Sequence, residues 1–142
     1  MLFIFFGIVI PEVIKMKKWF VLMVLFGLVL TGCAGSSNKN GYTSISQEKA
    51  IEMMKSLKDY QIVDVRREEE FREGHIEGAI LVPNESIQNE APKELPRKDQ
   101  PIFVYCRSGN RSRQAAKKLV ALGYTKVYEM GGIGTWPGKI VR

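Results

Sequence analysis

Four short apolar runs alternate with helical patterns along residues 42–142, and that alternation limits the fold to few options. The runs are Gln61–Val65, Ala79–Val82 (closed by Pro83), Ile102–Tyr105 and Lys126–Glu129. Each is too short for a helix, and each is rich in Ile, Val, Phe or Tyr, which favour a pleated surface. Between them the apolar spacing changes. Ser46 stands where it can cap a helix whose apolar positions, Ala50, Ile51, Met54 and Leu57, recur at intervals of three and four. Glu68–Arg72 reads as a short charged helix stopped by Gly74, and Ser112–Leu122 as an amphipathic helix ended by Gly123. Its inward positions are Ala115, Ala116, Leu119, Val120 and Leu122, while Arg113, Gln114, Lys117 and Lys118 face water. Residues 84–100 are polar and carry Pro92 and Pro96, which predicts loop with one weak helical turn. No internal repeat is present. Strands separated by helices imply an α/β fold with a parallel sheet covered on both faces, and ligands then bind at the carboxyl ends of the strands.

Composition removes several functions. Two cysteines cannot make a stapled framework or a four-thiolate metal site, and a single histidine argues against His-based metal sites and a Ser-His-Asp apparatus. No metal or other cofactor is expected. The net charge of +6 is not gathered into one basic run, and no aromatic–basic platform accompanies it, so it reads as solubility plus an anion site and not as a nucleic-acid surface.

Residues 1–32 read as an address. Trp19–Leu30 is a run of twelve apolar or glycine positions, preceded by Lys15, Lys17 and Lys18, as in a secretory signal. It is short for a span, which needs about 20 apolar residues. The run ends in Leu30-Thr31-Gly32-Cys33, which resembles the lipobox of bacterial lipoproteins. That resemblance implies cleavage before Cys33 and a lipid on its sulfur. The protein would then be anchored to the cell membrane, facing outside the cytoplasm. Residues 33–41 are small and polar, as a flexible tether should be. Met1–Ile10 makes the leader overlong, and Met16-Lys17-Lys18 is the better signal start. Residues 42–142 form the single domain.

The chemistry gathers at Cys106-Arg107-Ser108-Gly109-Asn110-Arg111-Ser112. The strand Ile102–Tyr105 delivers Cys106 to its carboxyl end, and a helix starts near Ser112. Gly109 is free to take a positive φ, so the tight loop between can turn its backbone N–H groups inward as an anion nest beside a helix N-terminus. Arg107, Arg111 and Arg113 add formal charge, although Arg113 is placed to face solvent. A thiol in this setting should be acidic and largely thiolate at neutral pH.

Here the chain resembles a single-domain rhodanese. The loop C-R-S-G-N-R-S is a common form of that family's active-site loop. Asp64-Val65-Arg66, Glu70-Phe71, Gly74-His75-Ile76, Gly78-Ala79, Gly131-Gly132 and Trp136 match in the family's order over roughly residues 43–142. Glu77 departs from a usual proline and Leu81 from a frequent polar residue, both away from the loop. The resemblance implies a five-stranded parallel sheet flanked by helices on both faces, and sulfur transfer without a cofactor. Cys106 would attack the outer sulfur of thiosulfate or a similar donor and hold it as a persulfide. The loop from Arg107 through Ser108, Gly109, Asn110 and Arg111 to Ser112 would bind substrate, and a thiol or cyanide would accept the sulfur. Related phosphatase and arsenate-reductase loops place five residues between Cys and Arg. Here four separate Cys106 from Arg111, which suits one sulfur atom better than a tetrahedral oxyanion.

The remaining polar residues read as structural. His75 follows a helix-ending glycine and is expected to make a supporting hydrogen bond. Asp64 is expected to brace the active-site loop through its N–H groups, and Arg66 to pair with Glu70 or another acid. Trp136 should pack under the last loop. Two function classes remain: a turnover sulfurtransferase, or a binding module that carries or senses sulfur on Cys106.

Overall fold

The structure is a computed structural model that describes residues 41–142. The leader, Cys33 and the tether up to residue 40 lie outside the described residues. The domain is α/β, built on five parallel strands: β1 Thr43–Ser44, β2 Gln61–Asp64, β4 Ala79–Leu81, β5 Ile102–Cys106 and β6 Val127–Gly132. Their order across the sheet is β1-β6-β5-β2-β4. A second, two-stranded antiparallel sheet joins β3 His75–Ile76 to β7 Ile140–Val141. The helices are α1 Gln47–Ser56, α2 Glu68–Glu73 and α3 Asn110–Ala121, with one 3₁₀ turn at Ile133–Thr135.

Strand alternation divides the core in two. Ile102, Val104 and Cys106 of β5 project to one face with Val63, where Ala115, Ala116 and Leu119 of α3 cover them. Phe103 and Tyr105 project to the other with Ile62, under Ala50, Met53 and Met54 of α1. All five β5 residues are buried, as a central parallel strand requires. The Ser46 hydroxyl accepts from the Lys49 amide and caps α1 as its position suggested.

Several expectations change. Residues 84–100 contain turns and no helical turn; Ile87 and Leu95, both fully buried, pin them over the α3 face instead. β5 runs on to Cys106, and α3 begins at Asn110 rather than Ser112. Only residues 107–109 are then left between strand and helix. β1, β3 and β7 were not anticipated; each has two residues, too short a run to read as a strand, and is held by its partner strand. β2 leads through α2 toward β4, whereas β5 leads through α3 toward β6 on its other side. These adjacent strands therefore depart in opposite directions and open a crevice at their carboxyl ends.

Candidate active site

Cys106 is the last residue of β5, and its side chain is 1% exposed. A register shift between Val104 and Cys106 sets it opposite Gly132 of β6. The chain then reverses through Arg107 and Ser108 into Gly109, whose left-handed φ of 92° turns it into α3. This conformation aims the Gly109 N–H at the sulfur, 3.1 Å away. Ser112 lies on the first turn of α3, buried, with its Oγ 3.6 Å from the same sulfur.

The site polarises the thiol chiefly through hydrogen bonds. Burial alone pushes the Cys106 thiol up. The Ser112 side chain and the backbone N–H groups of Ser112, Ser108 and Gly109 pull harder in the other direction, so the net shift is below the ordinary thiol value. The acidity foreseen from the arginines comes mainly from the loop backbone and a hydroxyl, with Arg111 adding a charge interaction with the sulfur.

The loop residues divide by position. Gly109 and Ser112 are brought against Cys106, and Ser108 contributes its amide. Arg107 and Arg111 line the crevice, whose volume is about 600 Å³, together with Arg67, Glu69, Glu70 and Glu85. Asn110 opens α3 and is exposed, as is Arg113. Arg111 is not idle: its Nη1 and Nη2 donate to Glu70 Oε2 and Oε1 at 2.6 and 2.8 Å. This fork lowers the Glu70 carboxyl from 4.5 to about 2, against the opposing effect of burial and with help from the Arg67 N–H.

Asp64 does not brace the active-site loop. Its Oδ1 accepts from the Arg66 N–H two residues on, an Asx-type turn, and both its oxygens accept from the Arg66 guanidinium. Arg66 pairs with Asp64 and not with Glu70, which Arg111 occupies; Arg66 Nη2 also donates to the Gly74 carbonyl at 2.7 Å. Asp64 and Arg66 therefore shape the turn from β2 into α2, which presents Glu70 to the crevice. His75 has the structural role expected: its ring stacks on Phe71 with centroids 3.7 Å apart, and Nδ1 meets the Phe71 carbonyl. Trp136 packs on the α1 face of the core.

Two features escaped the sequence reading. Gly132 lies directly beneath the loop: a β-carbon there would sit 2.9 Å from both the Arg107 carbonyl carbon and the Ser108 Cα. Glu129, on β6, is 4% exposed and accepts from the Ser112 hydroxyl at 2.6 Å and from the Gly131 N–H at 2.9 Å. An acid in a strand reads as a surface position, and no local pattern announces that this one is buried. Among the described residues no cluster of His, Cys, Asp or Glu suits a metal ion, and no helix is long and apolar enough to cross a membrane.

Comparison with known proteins agrees with this geometry. Residues 46–138 match the rhodanese-like domain family. A thiosulfate sulfurtransferase of Escherichia coli is 35% identical over 71 residues, covering 50% of this chain and 68% of the relative. A thiosulfate sulfurtransferase of Coxiella burnetii is 35% identical over 96 residues, covering 67% of this chain and 87% of the relative. The chain spans 63% and 56% of two Bacillus subtilis relatives, less than two thirds of their length. Among solved structures, a rhodanese from E. coli superposes with a TM-score of 0.55 at 31% identity, covering 58% of this chain and 98% of that one.

Proposed function

The chain belongs to the rhodanese family, and from that premise we propose that it is a thiosulfate-type sulfurtransferase working through a persulfide on Cys106. The observation that carries this reading is the Cys106 sulfur held at the carboxyl end of the central strand, with the Gly109 N–H 3.1 Å away and the crevice arginines above. The thiolate attacks the outer sulfur of thiosulfate. A bond forms from Cys106 to that sulfur as the sulfur–sulfur bond of thiosulfate breaks, and its electron pair leaves with sulfite. Arg107 and Arg111 stabilise the departing anion, and the loop N–H groups hold the outer sulfur of the persulfide. Cyanide or a thiol then attacks that sulfur and releases the Cys106 thiolate.

The leader supports an anchored location. Cys33 in the lipobox-like Leu-Thr-Gly-Cys carries the lipid, residues 33–41 tether the domain, and the crevice works outside the cytoplasm at the membrane. The test of turnover is thiosulfate-dependent thiocyanate formation from cyanide by purified protein. Sustained formation of thiocyanate meets the proposal. A single stoichiometric sulfur loading without turnover would instead make the chain a carrier.

A further inference from the structure

Behind Cys106 runs a chain of polar atoms that the sulfur-transfer cycle above does not use. The Cys106 thiol faces Ser112 Oγ at 3.6 Å, and the Ser112 hydroxyl reaches Glu129 Oε1 at 2.6 Å and the Gly109 carbonyl at 3.0 Å. Glu129 is buried, and its other contacts are the Gly131 N–H on Oε1 and the Ser44 hydroxyl on Oε2 at 3.2 Å. Among the described residues no lysine or arginine forms an ion pair with it; the guanidinium of Arg113 approaches Gly109 nearby without pairing.

We propose that Glu129 is a positioning residue: by holding the single hydrogen of the Ser112 hydroxyl, it sets how readily Cys106 becomes the thiolate. A serine hydroxyl carries one hydrogen, and three acceptors surround this one. The carboxylate is the closest and the strongest of the three while the sulfur is a neutral thiol. The order of donation is then thiol to Ser112, and Ser112 to Glu129, which favours the S–H form. When the thiol proton leaves to solvent, the sulfur needs a donor in its place. Ser112 can turn its hydrogen to the sulfur only by pointing a bare oxygen lone pair at the Glu129 carboxylate 2.6 Å away. Glu129 resists that turn, so the hydroxyl serves the thiolate less than it would without the carboxylate, and the backbone N–H groups carry the rest. The carboxylate also stands within two hydrogen bonds of the sulfur, where its like charge opposes ionisation.

The other charged groups around Cys106 act from different directions. Arg107 and Arg111 reach it from the loop and from α3, Glu70 and Glu85 stand across the crevice, and the Asp64–Arg66 pair closes the neighbouring strand. None of these forms a hydrogen bond to Ser112, and among the charged groups only Glu129 competes for its hydrogen.

This inference rests on Cys106 as the reactive thiol, not on which sulfur compound it accepts. The test is therefore alkylation by iodoacetamide, followed against pH on the full chain. The variants are Glu129→Gln, Ser112→Ala and the double variant, with circular dichroism confirming that each is folded. A glutamine keeps an acceptor for the Gly131 N–H but removes the charge and is a weaker acceptor for Ser112. Glu129→Gln should move the alkylation midpoint down by about one pH unit, about tenfold more thiolate at pH values below both midpoints. Ser112→Ala should raise the midpoint, because the hydroxyl is one of the groups that hold the thiol below its ordinary value. In the Ser112→Ala background the glutamine should add less than half of its shift. An unmoved or raised midpoint in Glu129→Gln, or the full shift persisting in the double variant, would each overturn the proposal. Should Glu129→Gln not fold, Glu129→Asp decides: the shorter side chain draws the carboxylate back from the Ser112 hydroxyl, so the midpoint should fall, and an unmoved or raised midpoint would overturn the proposal. Sulfur transfer by the wild type is untouched by any of these results.

Discussion

Replacing Gly132 by alanine should damage the active-site loop while sparing the fold, and the geometry gives the size of the damage. The added β-carbon would stand 2.9 Å from the Arg107 carbonyl carbon and from Ser108 Cα, and nearer still to the Arg107 carbonyl oxygen. The shortest favourable carbon–carbon separation is about 3.5 Å, so the loop must retreat by about 0.6 Å or more. All three atoms are backbone and cannot swing aside as a side chain could. Gly132 has φ −111°, which any residue adopts, so the penalty is purely steric. Overpacking of this kind costs about 1–3 kcal/mol. A displacement approaching 1 Å in catalytic groups can lower turnover by about 100-fold. Two neighbours serve as controls. Gly131 has φ 84° with open space around its β-position, so Gly131→Ala should cost about 1–2 kcal/mol of backbone strain without touching the loop. Gly134 has open space and no such φ, so Gly134→Ala should be near neutral. Thiocyanate formation and thermal melts of the three variants separate the effects: Gly132→Ala should lose far more activity than its melting temperature explains. Full activity in Gly132→Ala would refute the claim that the loop backbone rests on this glycine.

Three further outcomes follow from the same geometry. Arg111→Ala removes a crevice cation and strands Glu70, so the KM for thiosulfate should rise; an unchanged KM would place Arg111 outside substrate binding. The Glu70–Arg111 pair contributes its stability fully above 4.5, the ordinary value of the carboxyl, and loses it as pH falls toward about 2, so the melting-temperature gap between wild type and Glu70→Gln should close over that window. A gap of constant size from pH 7 to pH 2 would contradict it. Cys33→Ala should abolish fatty-acid labelling in cells while leaving the chemistry of Cys106 intact, and a wild-type protein that takes no label would remove the lipid anchor from the account.

How much could be read from residues alone depended on whether the determining interaction was local. β2, β4, β5 and β6 were legible because Ile62, Val63, Phe103, Val104 and Val127 are apolar in short runs bounded by turn residues, and burial keeps such runs in strands. The Ser46 cap, the α3 stripe and the Gly109 turn were legible for the same reason. β1 was not: Thr43 and Ser44 are exposed and polar, and only their register with Tyr128 and Glu129 makes them a strand. The helical turn expected in residues 84–100 failed because two distant anchors, Ile87 and Leu95, decide that segment's path. In the site, the motif located Cys106 and its loop but not their partners. Glu70 meets Arg111 across 41 residues and Ser112 meets Glu129 across 17, and neither pairing leaves a mark on local spacing. Asp64 was misassigned because the Arg66 N–H two residues on, and its guanidinium, were nearer claimants for its carboxylate than the loop.

The central claim is that Cys106 carries the transferred sulfur, and intact-protein and peptide mass spectrometry after exposure to thiosulfate test it most directly. The account predicts that wild type gains the mass of one sulfur atom, located on the peptide containing Cys106 and removed by cyanide, while Cys106→Ser stays folded and gains nothing. A wild-type protein that takes up no sulfur, or a Cys106→Ser variant that still does, would contradict it.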